Sequence, residues 1–420
     1  MKILILADQC NPEWPSLPVV GYKASLEISK IVDVTVVTHI RNKENINKHG
    51  FGNAEVIFVD TEYIAKPLHK LSKLIRGNEG GWTIAMALAY PSYLAFEWEV
   101  WKKLKDRIKS DEFDVIHRVT PMSPTLPSLL ASKSKVPFVL GPLNGGLKWP
   151  AEFAQEKKKE SEWLSLARGA YKLLPYKKST ITCSKAILAS FEHTIADIPD
   201  NMQHKVINFP EVGIDPLLFN MEQSKESSEI KTILFASRLV PYKLPDVILD
   251  AFIKSDILKK HKLLIVGDGP LRASMESKVK QHQLENSVSF VGWKTQQEVG
   301  EYMRQSDIFA YPTIRELGAG ALVEAMACRM ACVVVDYGAC GTLIDKDRGV
   351  KLALQSKEGI TKQLSQELER LVDDSELVTK LADNAYKHVM QYYTWPQKAK
   401  KTEQVYQWVL GQAEKPSFWN

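Results

Sequence analysis

The stretch Thr313–Ala327, TIRELGAGALVEAMA, sets Glu316 and Glu324 on either side of Gly318, Ala319, Gly320 and Ala321. Glycine is costly in backbone entropy, so two of them beside a forming helix need a reason, either chemistry or close packing. ALVEAMAC is a good helix former. The start of such a helix offers unbonded N–H groups and the positive end of its dipole, which suit a diphosphate. Gly318 and Gly320 would let that anion approach the backbone. Glu316 would then lie near whatever the phosphates carry, and Glu324, further in, within reach of a ribose diol. The same residues also describe an ordinary helix with acids near its N-terminus.

Other residues of the second half have the same position at a strand end. Arg238 and Lys243, in SRLVPYKLPDVILDAF, follow an apolar run and could converge on one anionic group, or be two unrelated charges on an exposed turn. VGDGPLR, with Gly267 and Asp268, lacks the third glycine of a dinucleotide fingerprint. It reads as a tight turn that still brings N–H groups to the strand end. FVGW, with Gly292 and Trp293, closes another strand, where its backbone could meet a planar base or simply be buried. In the first half, HRVTPMSP contributes His117 and Arg118, and GPLNGGLKWP contributes Asn144, Gly145 and Gly146, a loop with few side chains to obstruct a ligand. His117 reads equally as a packed or capping histidine.

These residues need elements to hold them. Lys2–Asp8, Val32–His39, Ala54–Asp60, Phe113–His117, Val136–Pro142 and Ser179–Ser184 read as strands separated by helical stretches, one of them around Tyr93–Lys109. The rhythm restarts with Lys231–Arg238, Lys262–Gly269, Ser287–Trp293, Asp307–Pro312 and Ala331–Gly338. Alternation of this kind predicts an α/β chain with two Rossmann-like, doubly wound domains, with ligands at the carboxyl ends of the strands. The expected organisation is a first domain over 1–215, a linker at 216–230, a second domain over 231–395, and a C-terminal helix at 396–420 that could pack back on the first domain.

A chain of 420 residues fits two domains better than one. With 45% hydrophobic and 25% charged residues it is ordinary for a globular protein, and a net charge of +5 points to no nucleic-acid partner. No run approaches bilayer-spanning length, and the start MKILILADQC reads as a strand rather than a signal peptide. Five scattered cysteines without a Cys-x-x-Cys pair fit reduced thiols in a cytoplasmic enzyme, with no metal site expected. Two stretches, Lys66–Gly77 and Leu166–Lys178, mix basic and apolar residues as an interfacial helix does, so peripheral membrane contact is a candidate property.

Taken in order, SRLVPYKLPDVILDAF, LLIVGDGPLR, VSFVGW and SDIFAYPTIRELGAGALVEAMACRMACVVVDYG resemble the retaining family-4 glycosyltransferases, firmly from Lys231 to Gly341 and more loosely before that. The resemblance implies the GT-B fold, two Rossmann-like domains facing across a central cleft. It also implies transfer of a sugar from a nucleotide diphosphate, UDP- or GDP-linked, to a carbohydrate or glycolipid hydroxyl, in polysaccharide or glycoconjugate synthesis. Carried onto this chain, it gives Glu316 the donor sugar, Glu324 the ribose, Ala319, Gly320 and Ala321 the diphosphate through their N–H groups, and Arg238 and Lys243 the leaving phosphates. Gly145 and Gly146 would lie near the donor, Asn144 and Arg118 on the acceptor side. No cofactor or metal is implied beyond the donor itself. The family's glycines after the lysine and after the glutamate helix are Leu244 and Arg329 here, and the histidine that many relatives carry two residues beyond His117 is Val119. His117 is therefore a candidate in that histidine's stead. A nucleotide-sugar epimerase of the same fold, or a non-catalytic nucleotide-sugar-binding protein, are the rival readings.

Overall fold

The structure, a computed structural model, describes residues 1–76, 82–159, 173–223, 225 and 228–418. Apolar β-branched runs form two parallel sheets. The first contains β1 (Lys2–Ala7), β2 (Asp33–His39), β3 (Glu55–Val59), β4 (Val115–Thr120), β5 (Phe138–Leu143), β6 (Ser184–Ala189) and β7 (Val206–Asn208), in the order β3-β2-β1-β4-β5-β6-β7. The second contains β8 (Thr232–Ala236), β9 (Lys262–Val266), β10 (Val288–Gly292), β11 (Ile308–Tyr311), β12 (Ala331–Val335) and β13 (Gly349–Leu352), in the order β10-β9-β8-β11-β12-β13. Both orders reverse direction beside their first strand, the doubly wound pattern that opens a crevice at the strands' carboxyl ends.

Side chains alternate across the first sheet, and its inner strands are buried on both faces. Leu4, Leu6, Ile116 and Phe138 face one cluster, whereas Ile3, Ile5, Val115 and Val139 face another. Helix Trp82–Lys109 fills the first cluster with Tyr93, Phe96, Val100 and Leu104. The second is closed by helix Leu17–Ser29 and by the C-terminal helix Trp395–Val409, which supplies Ala399, Val405 and Tyr406.

The chain divides into two compact units: Met1–Gly146 with Lys158–Glu211 and Trp395–Asn420, and Leu147–Lys157 with Val212–Thr394. The boundaries read off the sequence instead place 147–157 and 212–215 in the first domain, keep 216–230 as a linker and put residue 395 in the second domain. The segment after the Gly145–Gly146 pair belongs to the second unit, where Leu147 lies against Gly338 and the Tyr337 hydroxyl donates to the Lys148 carbonyl at 2.9 Å. The expected strand Ser179–Ser184 is also corrected. Lys177–Cys183 is a helix, in which Thr180 and Thr182 return their hydroxyls to the carbonyls of Tyr176 and Lys178, and the strand begins at Ser184. β-Branched residues favour strands only weakly, and local hydroxyl bonding decides this one for the helix.

Candidate functional site

In the second sheet the direction reverses between β8 and β11, and the candidate residues gather there. After β8 the chain passes Arg238 and enters a short 3-10 turn, Pro241–Lys243. Leu244 then takes a left-handed conformation (φ 51°) to start helix Pro245–Lys254. After β11, Thr313 and Ile314 bond back to the Tyr242 carbonyl at 3.2 and 3.0 Å, so the two loops are tied together.

This brings Lys243 onto the Glu316 carboxylate, with Tyr311 bridging them. The Lys243 ammonium donates to the Tyr311 hydroxyl at 2.7 Å, and that hydroxyl donates to Glu316 Oε2 at 2.7 Å. Burial alone would raise the Glu316 carboxyl, but the Lys243 charge, the Tyr311 hydroxyl and the Ala319 N–H hold it below the ordinary carboxylate range. Burial works against Lys243 too, and the Glu316 charge overrides it, keeping the ammonium protonated. The result is a fixed, charged pair largely shielded from water.

Helix Gly320–Ala327 starts immediately behind this pair. Ala319 is left-handed (φ 52°), and Leu322 and Val323 donate to its carbonyl at 3.1 Å. The N–H groups of Gly320 and Ala321 precede that first helical bond. A Cβ added to Gly320 would meet nothing within 4 Å, so this glycine is not there for packing. Gly318 is buried in the approach to it, and Glu324 lies one turn inside the helix, partly exposed.

Arg238 and Lys243 flank one ring, their charges 5.9 and 5.7 Å from the Tyr242 centroid, with Arg238 also bonded to the Tyr242 hydroxyl. Trp149 meets the same ring edge-on at 6.2 Å, and Arg315 lies over Trp149 at 4.9 Å. Sequence reasoning gave no role to Tyr311, Tyr242, Trp149 or Arg315. Tyr242 and Arg315 stand next to residues it did single out, and that adjacency was the available signal.

The other donor-side candidates fall differently. A Cβ on Gly267 would lie 2.0 Å from the Ser237 carbonyl oxygen, and one on Gly269 would lie 2.5 Å from that of Leu239, so close packing accounts for both. Asp268 is held by Arg272 and by the Gly269 N–H. These turns build the rim instead: Gly267 N–H donates to Gly292 O at 2.8 Å, and Leu239 N–H to Asp268 O at 2.9 Å. Trp293, just beyond Gly292, is 65% exposed.

In the first unit His117 is 1% exposed. Its Nε2–H donates to the Gly141 carbonyl at 2.7 Å, and its Nδ1 accepts from the Tyr406 hydroxyl at 2.6 Å. Burial pushes its pKa down to about 4, so it stays neutral. The expectation of a catalytic His117 is corrected: both ring nitrogens are spent on structure. Arg118 is corrected likewise, being 1% exposed, bonded to the Leu126 and Ser123 carbonyls and set over the Tyr93 ring. Val119 is buried as well. Asn144 donates to Glu211 Oε1 at 2.5 Å and leaves its own buried Oδ1 without a hydrogen bond. Gly145 packs on Pro124, and left-handed Gly146 (φ 84°) on His193 and Asp197. Among the described residues, no three His, Cys, Asp or Glu side chains come together as metal ligands would.

Residues 219–388 match the family model described as glycosyl transferases group 1. This part of the chain is similar to that family. The matched stretch runs from before β8 into helix Ser375–Tyr392 and contains the Lys243–Tyr311–Glu316 cluster. Among curated proteins, the chain is 30% identical over 149 residues to the amylovoran biosynthesis glycosyltransferase AmsK of Erwinia amylovora, covering 33% of this chain and 36% of that protein. It is 27% identical over 198 residues to the phosphatidylinositol N-acetylglucosaminyltransferase gpi3 subunit of Schizosaccharomyces pombe, covering 45% and 40%. The chain thus spans about two fifths of the length of these curated relatives. The crystal structure of Anabaena Alr3699/HepE in complex with UDP superposes with a TM-score of 0.65 over 96% of this chain and 98% of that one, at 15% identity. That likeness shows the same fold, doubly wound α/β units, in both halves of the chain.

Proposed function

We propose that the protein is a glycosyltransferase that moves a sugar from a nucleoside-diphosphate sugar to an acceptor hydroxyl with retention at the anomeric carbon. The observation that supports this most is the fixed Lys243–Tyr311–Glu316 cluster at the β8/β11 reversal, directly preceding a helix whose first glycine leaves open space. Departure of a nucleoside diphosphate leaves negative charge. Arg238, Lys243 and the N–H groups of Gly320 and Ala321 are fixed positive partners for it, needing little reorganisation as the bond breaks. In this reading Glu316 orients the sugar hydroxyls, Glu324 takes the ribose diol and Trp293 borders the base. With His117 committed to Tyr406, the acceptor proton passes to the leaving phosphate oxygen on the same face of the sugar. The C–O bond to phosphate breaks as the C–O bond to the acceptor forms.

The relatives' names, an amylovoran biosynthesis glycosyltransferase and a phosphatidylinositol N-acetylglucosaminyltransferase subunit, support a glycan or glycolipid acceptor. UDP bound in the structural neighbour makes UDP-sugars the first donors to try. The test is a thermal-shift screen against UDP- and GDP-sugars, followed by product analysis with the stabilising donor. Nucleoside diphosphate released only when an acceptor is present supports transfer. A changed donor sugar formed without acceptor would favour the epimerase reading instead.

A further inference from the structure

Helix Glu62–Arg76 turns Ala65 into the first unit, with Ile64 and Leu68 half-buried beside it. Its other side carries Tyr63, Lys66 and Lys70, all exposed, Tyr63 by 63%, and Leu71, one heptad beyond Ile64, is exposed at the edge of the inner stripe. A helix whose outer face only meets water keeps its apolar residues on the inner stripe. Here a tyrosine stands outward among lysines, and a leucine is exposed beside them at the edge of the stripe. The stretch holds four Lys or Arg against one acid, Glu62, which Arg41 and Lys66 already pair at 2.9 and 3.6 Å.

A second patch of the same character is attached to helix Trp82–Lys109. Leu173 is 88% exposed and Tyr176, left-handed at φ 65°, is exposed beside it. Their turn is fixed by the Tyr90 hydroxyl, which donates to the Pro175 carbonyl at 2.8 Å. Helix Glu62–Arg76 packs along helix Trp82–Lys109, and only five residues join them, so the two run antiparallel. The Leu71 end of the shorter helix therefore lies toward the Tyr90 end of the longer one, where the Leu173–Tyr176 turn is attached. Of the two basic stretches noted in the sequence, Gly77 and 166–172 lie outside the described residues.

We propose that the first unit docks on an anionic lipid surface through Tyr63, Lys66, Lys70 and Leu71 together with Leu173 and Tyr176. The chemistry favours lipid over a protein partner. Protein interfaces are depleted of lysine at their centre, whereas interfacial helices combine lysine with tyrosine and leucine that enter the headgroup layer. Among the described residues no helix is long and apolar enough to cross a membrane, so this is contact at the surface rather than insertion across it. The inference stands apart from the transferase reading, since none of these residues takes part in the β8/β11 site.

The test is co-sedimentation of the purified full chain with phosphatidylcholine vesicles, with and without about one third phosphatidylglycerol. Binding only to the anionic vesicles, and its loss in about 0.5 M NaCl, is the expected result. Lys66→Gln and Lys70→Gln should each weaken partitioning about fivefold. Tyr63→Ser with Leu71→Ser should weaken it at least as much, with the melting temperature unchanged in every variant. Equal binding to both vesicle types, no binding to either, or wild-type partitioning by the lysine and apolar variants would overturn the proposal.

Discussion

Lys243 and Glu316 show how two opposed charges persist inside a protein. Each is disfavoured by burial, and each is kept charged by the other and by Tyr311. Breaking such a pair from one side leaves an uncompensated charge, which costs about 3 kcal/mol. Glu316→Gln should therefore lower the urea midpoint even though the amide keeps the shape, and an unchanged midpoint would mean that the pair is not the buried unit seen here. His117 gives a pH prediction of definite sign. In the unfolded chain an imidazole takes up a proton below about 6.5, whereas the folded protein holds His117 neutral down to about 4. Between those values the unfolded state binds more protons, so stability is full above about pH 6.5 and falls as the pH falls towards about 4. The effect is on the order of 3 kcal/mol, and His117→Gln should flatten that part of the stability curve measured by urea unfolding. An unchanged slope would place the titration elsewhere, His39 and His193 being depressed in the same direction.

At the level of elements, the two glycines that the family resemblance led one to expect are replaced at left-handed positions, Leu244 at φ 51° and Arg329 at φ 50°. That geometry explains why glycine is usual there, since other residues are strained in it. Leu244 is fully buried. The Arg329 guanidinium lies 4.0 Å from the Tyr386 ring centroid, pairs with Asp383 and donates to the carbonyls of Met221 and Glu222, which ties the helix end to the preceding linker. Two other glycines separate packing from chemistry by experiment. Gly267→Ala would drive a methyl into the Ser237 carbonyl, so a loss of more than about 2 kcal/mol is expected. Gly320→Ala meets only open space and should leave the melting temperature within a degree or two or raise it. The same methyl would obstruct the approach to the helix N–H groups and weaken nucleotide-sugar binding, read by calorimetric titration. Gly320→Ala binding with wild-type affinity would contradict the assignment of that helix start. Strand ends and the glutamate helix were legible in the sequence because apolar runs and helix formers are local signals. Ser179–Ser184 was misread, since its threonines suit a strand by type but bond their own turn, and β13, four residues long, carries too little pattern to see.

For the molecule as a whole, the alternation of strands and helices was enough to expect two doubly wound units, because that architecture is written as a repeating local rhythm. What joins distant parts was not readable. His117 could be taken for a catalytic group because its partner Tyr406 lies 289 residues away, on the C-terminal helix. Leu147–Lys157 likewise follows a first-unit strand but belongs to the second unit. Deleting Trp395–Asn420 removes Ala399, Val405 and Tyr406 from the first sheet's core. Calorimetry should then lose or lower the unfolding transition of the first unit, while that of the second unit, and its shift with nucleotide, remain. The central claim, that the β8/β11 cluster performs sugar transfer, meets its most direct test in one rate. With a donor identified by thermal shift, nucleoside diphosphate release in the presence of acceptor is compared between wild type and Glu316→Gln, below the variant's melting temperature. The expected result is a fall of about a hundredfold or more in the variant, the scale of losing one fixed electrostatic partner of the transition state. Release at the wild-type rate from a folded variant would contradict the claim.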